Sequence, residues 1–344
     1  MRIAVDVMGG DHGSGVIIAG VRRALAKLPE IETLFLVGAE EEIKEELVRQ
    51  KCSDSRLEIH PASQVLTMDD KPVEAIRRKR DSSMLRAIEL VKDEKADAII
   101  SPGNTGGLLA ASTIRLRTLN PVDRAAIATI MPSYNGEFLL VDAGANADCK
   151  PSHLVQFATM GSIYCREILG KSKPRVAVLS NGTEESKGTE FTREVLRQIR
   201  KTDLNCIGYC EGYHLFDDGV DVVVADGFVG NIVLKSCESL AKALKKTIKS
   251  ELTANPIRKL GSLFVYTALK GIRRRFDADA YGGAPLLGLN GNVIKAHGSS
   301  SEIAIMNAVR VATESVQHKI KQTIESEVAR VNQQLDLEPA GTAS

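Results

Sequence analysis

The 344-residue chain has no excess of charge of either sign: 45 basic and 44 acidic residues nearly cancel. That argues against bulk nucleic-acid binding, which needs a basic excess. No stretch approaches the roughly 18–20 uninterrupted apolar residues of a membrane span. No signal-peptide pattern stands before the strand-like run Ile3-Ala4-Val5-Asp6. The cysteines (Cys52, Cys149, Cys165, Cys206, Cys210, Cys237) form no Cys-x-x-Cys pair and no Cys/His group with zinc spacing. A reduced, cytoplasmic chain with structural cysteines is expected. Nucleotide motifs are missing as well. No G-x-G-x-x-G follows a strand. Gly170-Lys171-Ser172 imitates the end of a P-loop, but Cys165 stands where its first glycine belongs. No G-x-S-x-G nucleophile elbow occurs. Asp6 and Asp11 lack further ligands at metal spacing, so neither a metal nor another cofactor is expected.

What is present is an alternation of short apolar runs and helical periods. Strands are expected at Ile3–Val7, Leu34–Val37, Leu57–His60, Ala98–Ser101, Ala126–Ile130, Phe138–Asp142, Arg175–Leu179, Cys206–Tyr209 and Val222–Ala225. Helices are expected at Val16–Lys27, Glu40–Gln50, Met84–Glu94, Thr105–Arg115, His153–Leu169 and Gly188–Lys201. This pattern implies a Rossmann-like αβα sandwich: a mostly parallel sheet with helices on both faces. The last third turns helical: Asn231–Glu251, Ile257–Arg274 behind Pro256, and one long helix Ser299–Arg330 opened by a Ser299/Glu302 capping box. Residues 1–330 are expected to form one α/β domain with a helical elaboration at about 231–275, and 331–344 a flexible tail.

The informative residues lie in turns just past strands. Ser101-Pro102-Gly103-Asn104-Thr105-Gly106 joins a strand to a helix, where backbone N–H groups and the helix dipole favour an anion. Four other turns have similar chemistry. They contain Asp6, Gly9, Gly10 and Asp11; Asp142 and Asn146; Thr183, Glu184 and Lys187; and Asp226, Gly227 and Asn231. In a parallel sheet such ends share one edge, so the turns are expected to converge on one cleft. Any single turn of this kind could serve backbone geometry alone. His297, followed by Gly298, Ser299 and Ser300, stands before the last helix, with phosphate binding, proton transfer or a structural role all open to it. Lys187 is the cation singled out, because it sits in a glycine-flanked turn while most lysines lie on helix faces.

In order along the chain, eight segments carry a resemblance: Asp6–Asp11, Arg78–Met84, Ser101–Gly106, Asp142–Asn146, Gly182–Gly188, Asp221–Asn231, Tyr281–Pro285 and Lys295–Ser300. Together they resemble the bacterial phosphate acyltransferases of phospholipid synthesis. The chain departs from that pattern at Glu211-Gly212-Tyr213-His214. The resemblance implies reversible acyl transfer from acyl-acyl carrier protein to inorganic phosphate, giving an acyl phosphate. It also implies a homodimer, a fold like those of phosphate acetyltransferases and isocitrate dehydrogenases, and a link to a membrane glycerol-3-phosphate acyltransferase.

Phosphate would itself be the nucleophile, so no covalent enzyme intermediate is needed. Ser101–Gly106 and Gly298–Ser300 are expected to bind phosphate. Asn104, Thr105, Asn146 or Asn231 would supply oxyanion donors, and Lys187 or His297 would meet the departing thiolate. Arg77-Arg78-Lys79-Arg80 and Arg273-Arg274-Arg275 are candidate basic faces for an acidic carrier protein. The amphipathic Ile257–Arg274 segment suits a core, a dimer interface or a peripheral membrane contact. Two other functions remain open: a short-chain enzyme using acyl-coenzyme A, and a non-catalytic scaffold of lipid synthesis.

Overall fold

A computed structural model describes residues 1–276 and 278–335, without the side chains of Arg273, Arg274 and Ala278. Among the described residues, eleven strands form one sheet in the order β3-β2-β1-β4-β11-β10-β5-β6-β9-β7-β8. They are β1 (Arg2–Asp6), β2 (Thr33–Gly38), β3 (Leu57–Pro61), β4 (Ala98–Ser101), β5 (Ala126–Pro132), β6 (Glu137–Val141), β7 (Val176–Ser180), β8 (Cys206–Glu211), β9 (Val222–Val224), β10 (Ala284–Leu287) and β11 (Asn292–Lys295). The nine expected strands are all present, and β10 and β11 are additional. Pro285 explains part of the miss. It lacks an N–H and reads as a strand breaker, yet β10 is held on both sides, by β11 at Ala284 and Pro285 and by β5 at Leu286 and Leu287.

Helices are α1 (Ser14–Leu25), α2 (Glu40–Arg49), α3 (Pro72–Arg78), α4 (Ser83–Lys92), α5 (Thr105–Leu116), α6 (Pro151–Glu167), α7 (Glu190–Ile199), α8 (Gly227–Thr253), α9 (Pro256–Phe264), α10 (Tyr266–Arg275), α11 (Glu302–Gln317) and α12 (Ile320–Gln334). One face of the sheet carries α3, α4, α5 and α8 over a core that runs through both halves. On the other face α1 and α11 cover the first half, while α6, α7 and α12 cover the second. No described helix is long and apolar enough to cross a membrane.

Three helical expectations need correction. The long helix breaks at Lys319, whose φ of 52° leaves the right-handed helical region. Its cap is Ser301, not Ser299, because the Ser301 hydroxyl accepts the Ala304 N–H at 3.3 Å. Ile257–Arg274 divides at Val265 into α9 and α10. The first residues of the expected tail are helical instead: α12 runs to Gln334 with Val331 buried, and residues 336–344 lie outside the described set.

Strand direction also corrects the expected convergence on one edge. β3, β2, β1, β4 and β11 run parallel. β10 runs against both β11 and β5, and β6 runs against β5. The carboxyl ends of β6, β7 and β9 therefore point away from those of β1, β4 and β11. The polar turns therefore follow two sets of strands of opposite direction.

Candidate active site

The first set gathers the ends of β1, β4 and β11. Asp6 closes β1 and is buried. Its carboxylate accepts the Ser101 hydroxyl at 2.7 Å and the Met8 N–H at 3.2 Å. Burial raises its pKa against the pull of these bonds. The Ser101 Oγ in turn accepts the Gly103 N–H at 3.1 Å. Gly9 lies flat against that turn: a Cβ there would stand 2.6 Å from the Gly103 nitrogen. The Asp11 N–H bonds the Gly298 carbonyl at 2.8 Å, and Gly10 also faces that carbonyl. Asp6, Gly9, Gly10, Asp11, Ser101, Gly103 and Gly298 thus form one cluster.

The helix that follows is capped by its own asparagine. Asn104 Oδ1 accepts the Gly107 N–H at 2.9 Å, and its Nδ2 donates to the Met68 carbonyl at 3.0 Å. The Leu108 N–H bonds the Asn104 carbonyl. Of the N–H groups that open α5, those of exposed Thr105 and Gly106 remain to point outward. His297 is exposed and its Nδ1 meets the Ser299 hydroxyl at 2.8 Å and the Ser299 N–H at 3.2 Å. With Nδ1 accepting, Nε2 carries the proton in the neutral ring and faces outward. Ser300 is buried, and its N–H bonds the His297 carbonyl.

The second set is built on Asp142, which has no solvent exposure. Its Oδ1 accepts the N–H groups of Ile127 at 3.0 Å, Gly144 at 3.1 Å and Ala145 at 2.9 Å. Its Oδ2 accepts the Asn146 N–H at 2.7 Å and the Asn146 Nδ2 at 2.8 Å. The Asn146 amide also donates to the Ala125 carbonyl at 2.7 Å. The Gly227 N–H meets the Asn146 carbonyl at 2.7 Å. A Cβ on Gly230 would lie 1.9 Å from the Asp142 carbonyl oxygen, so α8 can begin here only on glycine. Asp226 caps α8 by accepting the Val229 N–H at 2.9 Å. Asn231 covers Gly144, and among the described residues its amide has no hydrogen-bond partner. Thr183, Glu184 and Lys187 sit exposed in the turn after β7, two strands from β6. The side chains of Glu184 and Lys187 lie over Gly182.

α8 carries the second set back toward the first. β9 is only three residues long, so two helical turns span it. Lys235, one turn past Asn231, reaches close enough to act electrostatically on Lys295 at the end of β11.

Residues 1–323 match the family model described as a fatty acid synthesis protein. The chain is 48% identical over 331 residues to a phosphate acyltransferase of Desulfitobacterium hafniense, covering 96% of this chain and 98% of that one. The chain belongs to the phosphate acyltransferase family. A phosphate acyltransferase of Akkermansia muciniphila is 44% identical over 337 residues, covering 96% of this chain and 97% of that one. Among solved structures, a phosphotransacetylase from Streptococcus pyogenes aligns with a TM-score of 0.62 at 19% identity, over 92% of this chain and 94% of that one. A branched-chain phosphotransacylase from Enterococcus faecalis aligns at 0.55 and 14%, over 92% and 99%. These two share the fold, a mostly parallel α/β sheet with helices.

For a phosphate acyltransferase, the absence of a serine elbow is chemically consistent. The cysteines agree: burial pushes the thiols of Cys149 and Cys210 up to about 11 and raises those of Cys165, Cys206 and Cys237. Such thiols are poor nucleophiles near neutral pH. Lys295 is not among the site residues expected from sequence, where it only opens the Lys295–Ser300 segment. Its signal was present: a lysine ending an apolar strand, Asn292-Val293-Ile294-Lys295, next to a glycine- and serine-rich turn. Nor does the expected set include the segment around Met68 and Pro72 that packs on Gly298 and Gly106.

Proposed function

We propose that this acyltransferase moves a fatty acyl group, reversibly, from acyl-acyl carrier protein to inorganic phosphate. A phosphate oxygen attacks the thioester carbonyl; a C–O bond forms, the C–S bond breaks, and the carrier thiolate leaves with a proton. The observation that carries this reading is the first set of turns. Three strand ends meet around the exposed start of α5 and the Gly298–Ser300 turn, which suit an anion, and no cysteine stands among them.

In this reading Ser101, Gly103, Thr105, Gly106, Gly298, Ser299 and Ser300 bind phosphate, supported by Asp6, Gly9, Gly10 and Asp11. Asn146 already spends both amide N–H groups on the Ala125 carbonyl and Asp142. Asn104 spends one of its two on the Met68 carbonyl and Asn231, among the described residues, spends none, which favours Asn231, and after it Asn104, for the oxyanion of the tetrahedral intermediate. Asp142, Asp226 and Gly227 hold Asn231 in place. His297 Nε2 or Lys187, beside Thr183 and Glu184, protonates the thiolate. Residues 1–330 act as a unit, without metal or other cofactor.

Partners follow from surface chemistry. Arg77, Arg78 and Arg80 are exposed at the end of α3, which packs on α5, so an acidic carrier docked there would lie beside the phosphate turns. Exposed apolar side chains along α8 to α10 support a homodimer interface and a peripheral membrane contact for a cytoplasmic enzyme. The acyl phosphate would pass to a membrane glycerol-3-phosphate acyltransferase.

The deciding assay follows free carrier thiol on adding inorganic phosphate to purified protein and acyl-acyl carrier protein. Phosphate-dependent release is expected. Release from acyl-coenzyme A alone would transfer the reading to the short-chain enzyme, and release from neither donor would leave the scaffold.

A further inference from the structure

Lys295 is the unexplained charge of the site. It is 9% exposed at the carboxyl end of β11. Its Nζ donates to the Pro102 carbonyl at 3.2 Å and to the Ala296 carbonyl. Asp6 and Asp11 act on it through space only, without a hydrogen bond. A buried ammonium is costly unless it is paired and hydrogen-bonded. An ammonium has three donors, and two carbonyls take two of them.

The surroundings specify what would complete it. Pro102 belongs to the turn that opens α5, and Ala296 precedes His297 and Gly298. One cation therefore ties together the β4 and β11 turns. The outward N–H groups of Thr105 and Gly106 follow three and four residues after its Pro102 anchor. Asp6 does not neutralise Lys295 directly, since its oxygens face Ser101 and Met8. An anion seated on these turns would meet both the helix start and a nearly buried positive charge.

We propose that Lys295 is a catalytic residue that contacts the attacking phosphate. Its third N–H donates to a phosphate oxygen while its carbonyl anchors hold the two turns in register. This rests on the phosphate reading above. The cation holds the phosphate dianion close to the electrophilic thioester carbonyl carbon and leaves another phosphate oxygen free to attack. The proton lost by phosphate and the one gained by the thiolate pass through other groups, so Lys295 stays protonated throughout.

The test compares wild type, Lys295→Met and Lys295→Arg, using inorganic phosphate as the probe. In wild type, phosphate should raise the melting temperature by at least about 2 °C. In Lys295→Met that shift should vanish, and KM for phosphate should rise at least about tenfold while KM for the acyl donor stays within about threefold. Lys295→Arg, keeping the charge, should recover part of the phosphate shift. A structural role would instead lower the melting temperature without ligand and leave the phosphate shift intact; that result overturns the proposal. Should Lys295→Met not fold, the wild-type side-chain 15N resonance of Lys295, assigned by its loss in Lys295→Arg, must move during a phosphate titration. An unmoved resonance also overturns it. If phosphate binds through Lys295 but no acyl carrier is turned over, the reaction reading fails and the Lys295 contact stands.

Discussion

At the scale of single residues, the site is defined as much by missing side chains as by present ones. Gly9 and Gly230 each face backbone within 3 Å of where a Cβ would sit. Gly9→Ala should cost about 1–3 kcal/mol of stability through overpacking. It should also reduce turnover by more than about tenfold, because the displaced atoms are those of the Gly103 turn. Denaturant midpoints and kcat together check this. Lys295 makes a prediction with a definite sign. Burial pushes its ammonium from 10.5 down to about 8, with Asp6 and Asp11 opposing and Lys235 reinforcing the shift. Between those values the unfolded chain binds more protons than the folded one, so stability rises with pH across that window. The gain is on the order of 3 kcal/mol at most. It should appear in urea unfolding of wild type between about pH 8 and 10 and be missing from Lys295→Met. Glycines and acids of these turns were legible in the sequence because their chemistry is local. The burial of Lys295 was not, since it depends on β11 pairing with β4, nearly two hundred residues earlier in the chain.

At the scale of elements, apolar period placed the first nine strands, whose cores are continuous. It failed where order depends on neighbours. β10 contains a proline and survives because β5 and β11 flank it. The stripe of apolar residues through Ile305, Val309, Ala312, Val316 and Ile320 runs unbroken across Lys319, so nothing in the pattern announces the break there. α9 and α10 present the opposite case: a strong amphipathic pattern with no core beneath it. Ile257 is 83% exposed and Phe264 is 84% exposed. Phe264→Glu should abolish co-sedimentation with anionic vesicles while shifting the melting temperature by less than about 1 °C, because the ring has little burial to lose. Failure of the wild type to pellet would remove the membrane role from these helices.

At the scale of the whole molecule, two half-sheets are joined through β10, and one face of the core runs beneath both. α8 crosses from the second half toward Lys295 and leaves Leu240, Leu244 and Ile248 exposed. Those side chains suit a second copy of the chain, so sedimentation equilibrium should give twice the chain mass, and Leu244→Glu should reduce it to one. The opposed direction of the half-sheets could not be read from the sequence. Short apolar strands look alike whether they run with or against their neighbours; the two antiparallel steps at β10 cancel, and the β5–β6 pair makes the reversal.

The last fifty residues have a consequence for how the molecule comes into being. β11 completes the first half-sheet, and Ile294, Ala296, Ile305 and Val309 fill the same core as Ile3, Val5 and Ile18. A chain emerging from the ribosome thus exposes its first half with a gap in the core until residues 292–312 have been made. The second half has a similar debt to α12. Premature termination anywhere before residue 295 should leave no anion site at all, and partly made chains would need protection from one another.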